Sequence, residues 1–148
     1  MREWAGSIVG LLLLGACATA PRMAERNVAG STGAALARAG TALAGLGFGR
    51  ATSGPETLTA ATQRVDPAWA VCPPVLVSDG DDRRVMASAE ARTARVTVTA
   101  TPGGDATAVR VEAAFAATYR NRLRATSFER ACRSTGRLEA LLLDAAGG

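Results

Sequence analysis

At 148 residues and a net charge of +4, the chain has room for one domain with a short extension. Its 17 basic residues are all arginine and it contains no histidine, so it lacks the commonest general base and the commonest metal ligand. No Gly-x-Ser-x-Gly motif marks an activated serine. The composition therefore predicts a protein that is not an enzyme and that binds no metal or cofactor.

The N-terminus has the pattern of a secretory signal. Residues 5–16 form an apolar run of about a dozen residues, whereas a membrane-spanning helix needs about 20. The run ends in Leu14-Gly15-Ala16-Cys17, which resembles the lipobox of bacterial lipoproteins. The resemblance implies cleavage before Cys17 and lipid on its thiol and amine. Ala18 resembles the residue found there in lipoproteins that pass to the outer membrane. An ordinary signal peptide and a short buried segment are the alternatives.

This interpretation divides the chain into a lipoprotein signal peptide (1–16), a lipidated tether (17–30) and a single α+β domain (31–148). The tether is expected because residues 18–29 contain Pro21 and two arginines. Several acyl chains, at about 0.8 kcal/mol per buried methylene, would hold the protein on a membrane. We therefore expect a periplasm-facing protein that is anchored to the bacterial outer membrane by lipid.

The domain begins with a predicted helix. From Ser31, a favourable N-cap residue, the apolar side chains recur at intervals of three and four residues up to Leu46. Gly47 and Gly49 would then end the helix. A disordered linker rich in glycine and alanine is the alternative for residues 31–46.

A threonine-rich strand is predicted over residues 56–65, and the prolines that follow it prevent regular pairing. Trp69, beside a cysteine and two prolines, is expected to pack over the core; contact with a ligand is the alternative. Residues 75–77 form a candidate edge strand. The aspartates of residues 79–82 are interpreted as a solvated loop, because two arginines follow and the pattern of a calcium-binding loop is incomplete.

Residues 92–119 predict one long β-hairpin. Val96, Val98 and Ala100 alternate with polar residues before Pro102-Gly103-Gly104-Asp105, and the alternation resumes from Val109 to Tyr119. A lone hairpin is not stable in water, so the rest of the chain must cover its apolar face.

An arginine cluster follows the hairpin. If the second strand continued to residue 124, Arg120, Arg122 and Arg124 would point the same way and form a possible binding patch for lipid phosphate, lipopolysaccharide or an acidic partner. An exposed strand face whose charges discourage aggregation is the alternative. The interleaved aromatic residues of single-strand binders are missing, and we expect no nucleic-acid partner.

The three cysteines suggest one pairing. If Cys17 carries lipid, Cys72 and Cys132 remain as an even pair in an oxidising compartment. A disulfide between them would close a loop of about 60 residues and contribute about 4 kcal/mol. A redox pair is the alternative, although the cysteines lack the C-x-x-C spacing.

A second helix is predicted at the C-terminus. Ser134 or Thr135 can cap it, and Leu138, Leu141, Leu142 and Ala145 make one apolar stripe that should dock on the sheet.

Together these elements predict an α+β fold, an antiparallel sheet of three or four strands with two helices packed on one face. Residues 31–146 resemble the small domains of outer-membrane lipoproteins related to the accessory lipoproteins of the β-barrel assembly machinery. The resemblance rests on Leu46-Gly47-Phe48, Val96-Thr97-Val98-Thr99 and residues 132–139. It implies a role in outer-membrane assembly or maintenance, and no ligand residues can be transferred through it.

Two functional hypotheses remain open at this point. The first is a non-enzymatic envelope lipoprotein that binds a protein partner through an exposed sheet face or edge. The second is a small-ligand or lipid-binding module with a pocket between the sheet and the helices. The interior between sheet and helices would be filled in the first case and hollow in the second.

Overall fold

The computed structural model describes residues 22–148, which form nine strands and two helices. The predicted signal peptide and the lipidation of Cys17 lie outside the described residues. No helix within residues 22–148 is both long enough and apolar enough to cross a membrane. The strands are β1 (Arg22–Ala29), β2 (Thr52–Ser53), β3 (Thr57–Thr62), β4 (Ala70–Val71), β5 (Val75–Ser78), β6 (Arg84–Ala87), β7 (Ala89–Gly103), β8 (Ala106–Asn121) and β9 (Thr126–Ser134); the helices are α1 (Thr32–Gly45) and α2 (Arg137–Gly147).

Seven of these strands form one antiparallel sheet around β8. The strand order is β2-β3-β7-β8-β9-β4, and β1 also pairs with β8. β1 and β9 share one edge of β8: β1 pairs with residues 106–113 and β9 pairs with residues 115–121. β5 and β6 form a separate two-stranded sheet, which we call the small hairpin.

The long hairpin predicted from the sequence is confirmed as β7 and β8, which we call the central hairpin. Fourteen residue pairs join the two strands, and Gly104 and Asp105 form the turn. Gly104 has a φ of 74°, a left-handed conformation that glycine adopts without a Cβ clash. The inner face of the hairpin carries the buried valines, whereas the alternating threonines and arginines face outward.

Both helices pack on the inner face of the sheet. The helix predicted over residues 31–46 is confirmed as α1, and the Ser31 side chain accepts a hydrogen bond from the backbone N–H of Ala34 at 3.3 Å. Leu36, Ala39 and Leu43 are buried against the sheet. α1 also packs against α2, so the two helices cover the sheet side by side.

The predicted apolar stripe of α2 is confirmed at Leu138 and Leu142 and wrong at Leu141 and Ala145. Leu141 is 48% exposed, whereas Leu142 and Leu143 are buried together with Leu138 and Ala146. Residues 141–143 are all leucine, so more than half of the helix circumference is apolar and the pattern does not define one face. The helix begins after Gly136, which is the N-cap residue in place of the predicted Ser134 or Thr135.

The sheet has more strands than the three or four predicted. β1 replaces most of the predicted tether, since residues 22–29 pair with β8 and belong to the domain. β9 was not predicted either, and β8 ends at Asn121 without continuing to residue 124. β1 and β9 each bury only one or two side chains, so neither shows the alternation that reveals a half-buried strand.

A disulfide joins Cys72 to Cys132, as the cysteine count predicted. β4 pairs with the end of β9, which brings Cys72 directly opposite Cys132 with their Cα atoms 4.6 Å apart. Beside this link, Trp69 is buried and its ring stacks on Phe48 with 6.1 Å between the ring centroids. The prediction that Trp69 packs over the core is therefore confirmed.

Candidate functional site

Three side chains at the end of β8 and in the following turn hold the small hairpin in place. The hydroxyl of Tyr119 donates to the carbonyl oxygen of Pro73 at 2.8 Å, and the Asn121 side-chain amide donates to the carbonyl oxygen of Ser78 at 2.9 Å. Arg124 adds a third bond from Nε to the carbonyl oxygen of Asp79, also at 2.9 Å. The small hairpin is thus bound at both ends of its first strand to the end of the central hairpin.

The aspartates of residues 79–82 lie in the turn of the small hairpin. The Asp79 carboxylate accepts a hydrogen bond from the backbone N–H of Asp81 at 2.9 Å, and Gly80 has a φ of 102°. This is the local bonding by which aspartate and glycine favour turns. Within residues 22–148, no group of three or more metal-ligating side chains comes together here or elsewhere.

The two faces of the small hairpin have different surroundings. Val77 and Ala87 are buried on the face that packs against the domain. On the opposite face, Leu76 and Met86 form a cross-strand pair and are 55% and 60% exposed. The two side chains form one small contiguous apolar patch, and larger exposed patches of this kind mark interaction sites.

The structure places the three predicted arginines in two different environments. Arg120 lies on the outer face of β8, and Arg122 lies in the following turn, where its guanidinium is 3.9 Å from the carboxylate of Glu90. Arg124 points toward the turn of the small hairpin and bonds the backbone of Asp79. Arg120 and Arg122 therefore lie together on one surface, whereas Arg124 supports the structure of that surface.

A groove of about 390 Å³ separates the small hairpin from the end of β8. Arg120 and Arg122 line it from β8 and the turn, and Val85 and Met86 line it from β6. Glu90 lines the groove as well, and Met86 belongs both to the groove and to the exposed pair with Leu76. We call the exposed Leu76–Met86 pair and the neighbouring groove residues Val85, Arg120 and Arg122 the hairpin surface. It combines exposed apolar area with two guanidinium groups, which can form forked hydrogen bonds with carboxylate or phosphate.

Sequence analysis missed the apolar half of the hairpin surface. Residues 75–77 and 85–87 are short apolar runs on either side of a segment rich in aspartate and glycine, and that pattern could have indicated a hairpin. The face that would be exposed depends on how the hairpin packs on Tyr119 and Asn121. Because this packing is a tertiary contact, the local periodicity of the sequence cannot predict it.

The interior between the sheet and the helices is filled. Branched side chains from both layers meet there, and each is at most 7% exposed: Val96, Val98, Val109 and Val111 from the sheet, and Leu36, Leu43, Leu138 and Leu142 from the helices. A depression of about 680 Å³ lies instead on the outer face of the sheet, where Ala61, Ala114 and Ala116 are flanked by Arg95 and Glu129.

Comparison of the sequence with protein-family models found no match, and comparison with curated proteins found none.

Proposed function

We propose that this protein is a membrane-anchored, non-enzymatic lipoprotein of the cell envelope that binds another protein through the hairpin surface. Its role would lie in the assembly or maintenance of the outer membrane. The observation that supports partner binding is the exposed Leu76–Met86 pair, whose Met86 lines the same groove as Arg120 and Arg122. Methionine and arginine are enriched at protein interfaces, where a few such side chains contribute most of the binding energy.

The chemistry of the hairpin surface favours an acidic protein segment as the partner. Apolar contact with Leu76 and Met86 would supply affinity, while Arg120 and Arg122 would pair with carboxylates and orient the partner. The weak contact between Arg122 and Glu90, both well exposed, leaves the guanidinium available for exchange to a partner.

The filled interior supports a protein partner over a small ligand. A small-molecule site normally encloses most of its ligand in a concave cavity. Here the centre of the space between sheet and helices is occupied by valine and leucine side chains. The groove of about 570 Å³ between α1 and the β2–β3 turn is open to solvent and does not enclose a ligand.

Site-specific crosslinking tests the partner-binding role. A photoreactive amino acid at Met86 in the full-length protein, activated in the intact envelope, should give a crosslinked product with a defined protein. The same amino acid at Asp105, in the exposed turn at the opposite end of the central hairpin, is the matched control. Leu76→Asp should abolish the Met86 product. Equal products at both positions, or a product that survives Leu76→Asp, would contradict the proposal.

The anchor is tested separately. Cys17→Ser should abolish incorporation of labelled fatty acid and release the protein from isolated membranes. Because two or more acyl chains are needed for stable anchoring, an unlipidated chain should partition into the soluble fraction. Labelling that persists in Cys17→Ser would rule out lipidation at this residue.

A further inference from the structure

The outer face of the seven-stranded sheet is open to solvent within residues 22–148. Both helices pack on the inner face, and the small hairpin is bonded to Tyr119 and Asn121, whose buried side chains lie on that same inner face. The outer-face residues of β8 alternate with these buried side chains, and each of them is exposed or half-buried. This face therefore has room for a second protein layer.

The strand register arranges the outer-face side chains in rows that run across β7, β8 and β9. One row consists of Thr93, Ala116 and Ala131, which pair directly from strand to strand, and we call it the central row. Its three side chains are small. They allow a second sheet to approach to about 10 Å, the usual distance between sheets that pack face to face.

Charged side chains flank the central row in a self-complementary pattern. Along β9, Glu129 lies two residues to one side of the central row, and Arg133 lies two residues to the other side. Along β8, Arg120 lies four residues away on the first side, and Glu112 lies four residues away on the second side. Each side of the central row thus carries one arginine and one glutamate.

These four charged side chains have no ionic partner within the described part of the chain. None of the ion pairs formed by residues 22–148 includes Glu112, Arg120, Glu129 or Arg133. Two exposed apolar side chains lie beside them. Met23 is 53% exposed and pairs with Glu112 across β1 and β8, and Val71 is 43% exposed and pairs with Arg133 across β4 and β9. Such a surface offers both charge and apolar contact to a partner.

We propose that two copies of this chain associate face to face through the outer face of the sheet. A two-fold axis along the central row exchanges the two sides of each copy and reverses the strand direction. It brings Glu129 of each copy opposite Arg133 of the other, and Glu112 opposite Arg120. A two-fold contact uses the same patch on both copies, so it requires the self-complementary pattern that this face carries.

The other residues of the contact are compatible with this arrangement. We call the outer-face residues of β7, β8 and β9 between the rows of Glu112 and Arg120 the overlap. Arg95 is the fifth charged side chain of the overlap, and it lies opposite Ala91 of the second copy, so no like charges face each other. The overlap extends about 26 Å along the strands and about 14 Å across them. This is a small interface, and we therefore expect a reversible dimer.

Dimer formation is separate from the proposed partner binding. Arg120 also lines the groove beside the small hairpin, whereas Leu76, Met86 and Arg122 lie outside the overlap. Self-association thus goes beyond the proposed function. Substitutions at Glu129 and Arg133 test it without altering the hairpin surface.

A cysteine on the two-fold axis tests the arrangement. Ala116→Cys places a thiol in the central row, opposite the same residue of the second copy. A short bismaleimide added to cells that produce the full-length chain should give a dimer, in which mass spectrometry finds position 116 linked to position 116. Asp105→Cys, in the exposed turn of the central hairpin, is the control and should give no dimer. The proposal would be overturned by equal dimer yields at the two positions, by no product at position 116, or by a product there with a different protein.

Charge reversals test the ion pairs between the copies. In the Ala116→Cys background, Glu129→Arg and Arg133→Glu should each lower the yield of crosslinked dimer by about tenfold or more, because each places like charges opposite each other twice in the dimer. The double variant exchanges the two charges and should restore the dimer, which also shows that both substitutions are compatible with the fold. Asp105→Arg and Arg50→Glu change the net charge by the same amounts outside the overlap and should leave the yield unchanged. A double variant that stays monomeric, or an equal loss in these two controls, would contradict the proposed contact.

Discussion

Ser134 donates its hydroxyl proton to the buried carboxylate of Glu139 across 2.6 Å, where β9 leads into α2. The same hydroxyl oxygen accepts a hydrogen bond from the backbone N–H of Gly136 at 3.0 Å. Glu139 is completely buried, and its second carboxylate oxygen has no partner among the described residues. Ser134 therefore supplies the one hydrogen bond that the structure gives to this carboxylate.

The first prediction concerns this bond. Ser134→Ala should lower the free energy of unfolding by about 2 kcal/mol, because it leaves a buried polar group without its partner. In a Glu139→Leu background the same change should cost less than about 1 kcal/mol, since no carboxylate then needs a partner. Urea unfolding of the four proteins in this cycle measures the difference. Equal costs in the two backgrounds would show that the two side chains are not coupled.

The second prediction tests the register of α2. Leu142→Ala should destabilise the protein by about 2 to 5 kcal/mol, because Leu142 is fully buried between α2 and the sheet. Leu141→Ala removes the same atoms from an exposed position and should change stability by less than about 0.5 kcal/mol. The two variants are neighbours of identical chemistry, so each controls for the other in thermal or urea unfolding. A larger cost at Leu141 would contradict the observed helix face.

The third prediction concerns the disulfide. Reduction, or the double change Cys72→Ser and Cys132→Ser, should remove about 4 kcal/mol of stability, because the open chain regains the entropy of a loop of about 60 residues. Urea unfolding with and without a reducing agent measures the loss. The double variant should not respond to the reducing agent, which controls for other effects of the reagent. Free thiols at both positions in periplasmic material would contradict the pairing.

The fourth prediction concerns the turn between β8 and β9. Ala125 has a φ of 55° and is the one non-glycine residue with a positive φ in the described part of the chain. Ala125→Gly should stabilise the protein by up to about 1 kcal/mol, because the Cβ clash of the left-handed conformation is removed. Ala131→Gly, at an exposed position of β9, should instead destabilise by about 0.5 to 1 kcal/mol. Destabilisation by both changes would refute strain at Ala125.

The sequence predicts the elements whose local pattern and tertiary surroundings agree. Around Val96 and Val111, apolar and polar residues alternate because the helices cover one face of the sheet and the other face is open to solvent. The central hairpin could therefore be predicted. α1 could be predicted because Leu36 and Leu43 lie on a narrow stripe. In both cases one face is apolar and the other is not, so only one arrangement buries the apolar side chains.

The remaining elements depend on neighbours that are distant in sequence. β1 contains four polar and four apolar residues that do not alternate, and it is a strand because it pairs with the edge of β8 at residues 106–113. For the candidate site, Arg120 and Arg122 could be noticed as part of a charge run. Leu76 and Met86 could not be recognised as surface residues, because their exposure follows from the way Asn121 holds the other side of the small hairpin.

The pairing of β1 with β8 has a consequence for the order in which the protein is built. A chain is synthesised from its amino end. The backbone of Arg22 can form its strand pairing only after Ala113, about 90 residues later, has been synthesised. The central hairpin can form from neighbouring residues alone, so it should nucleate folding, with β1 added afterwards along the edge that β9 leaves open. Throughout that delay β1 has no β8 to pair with, so the first strand of the domain in sequence is the last part of this sheet edge to become ordered.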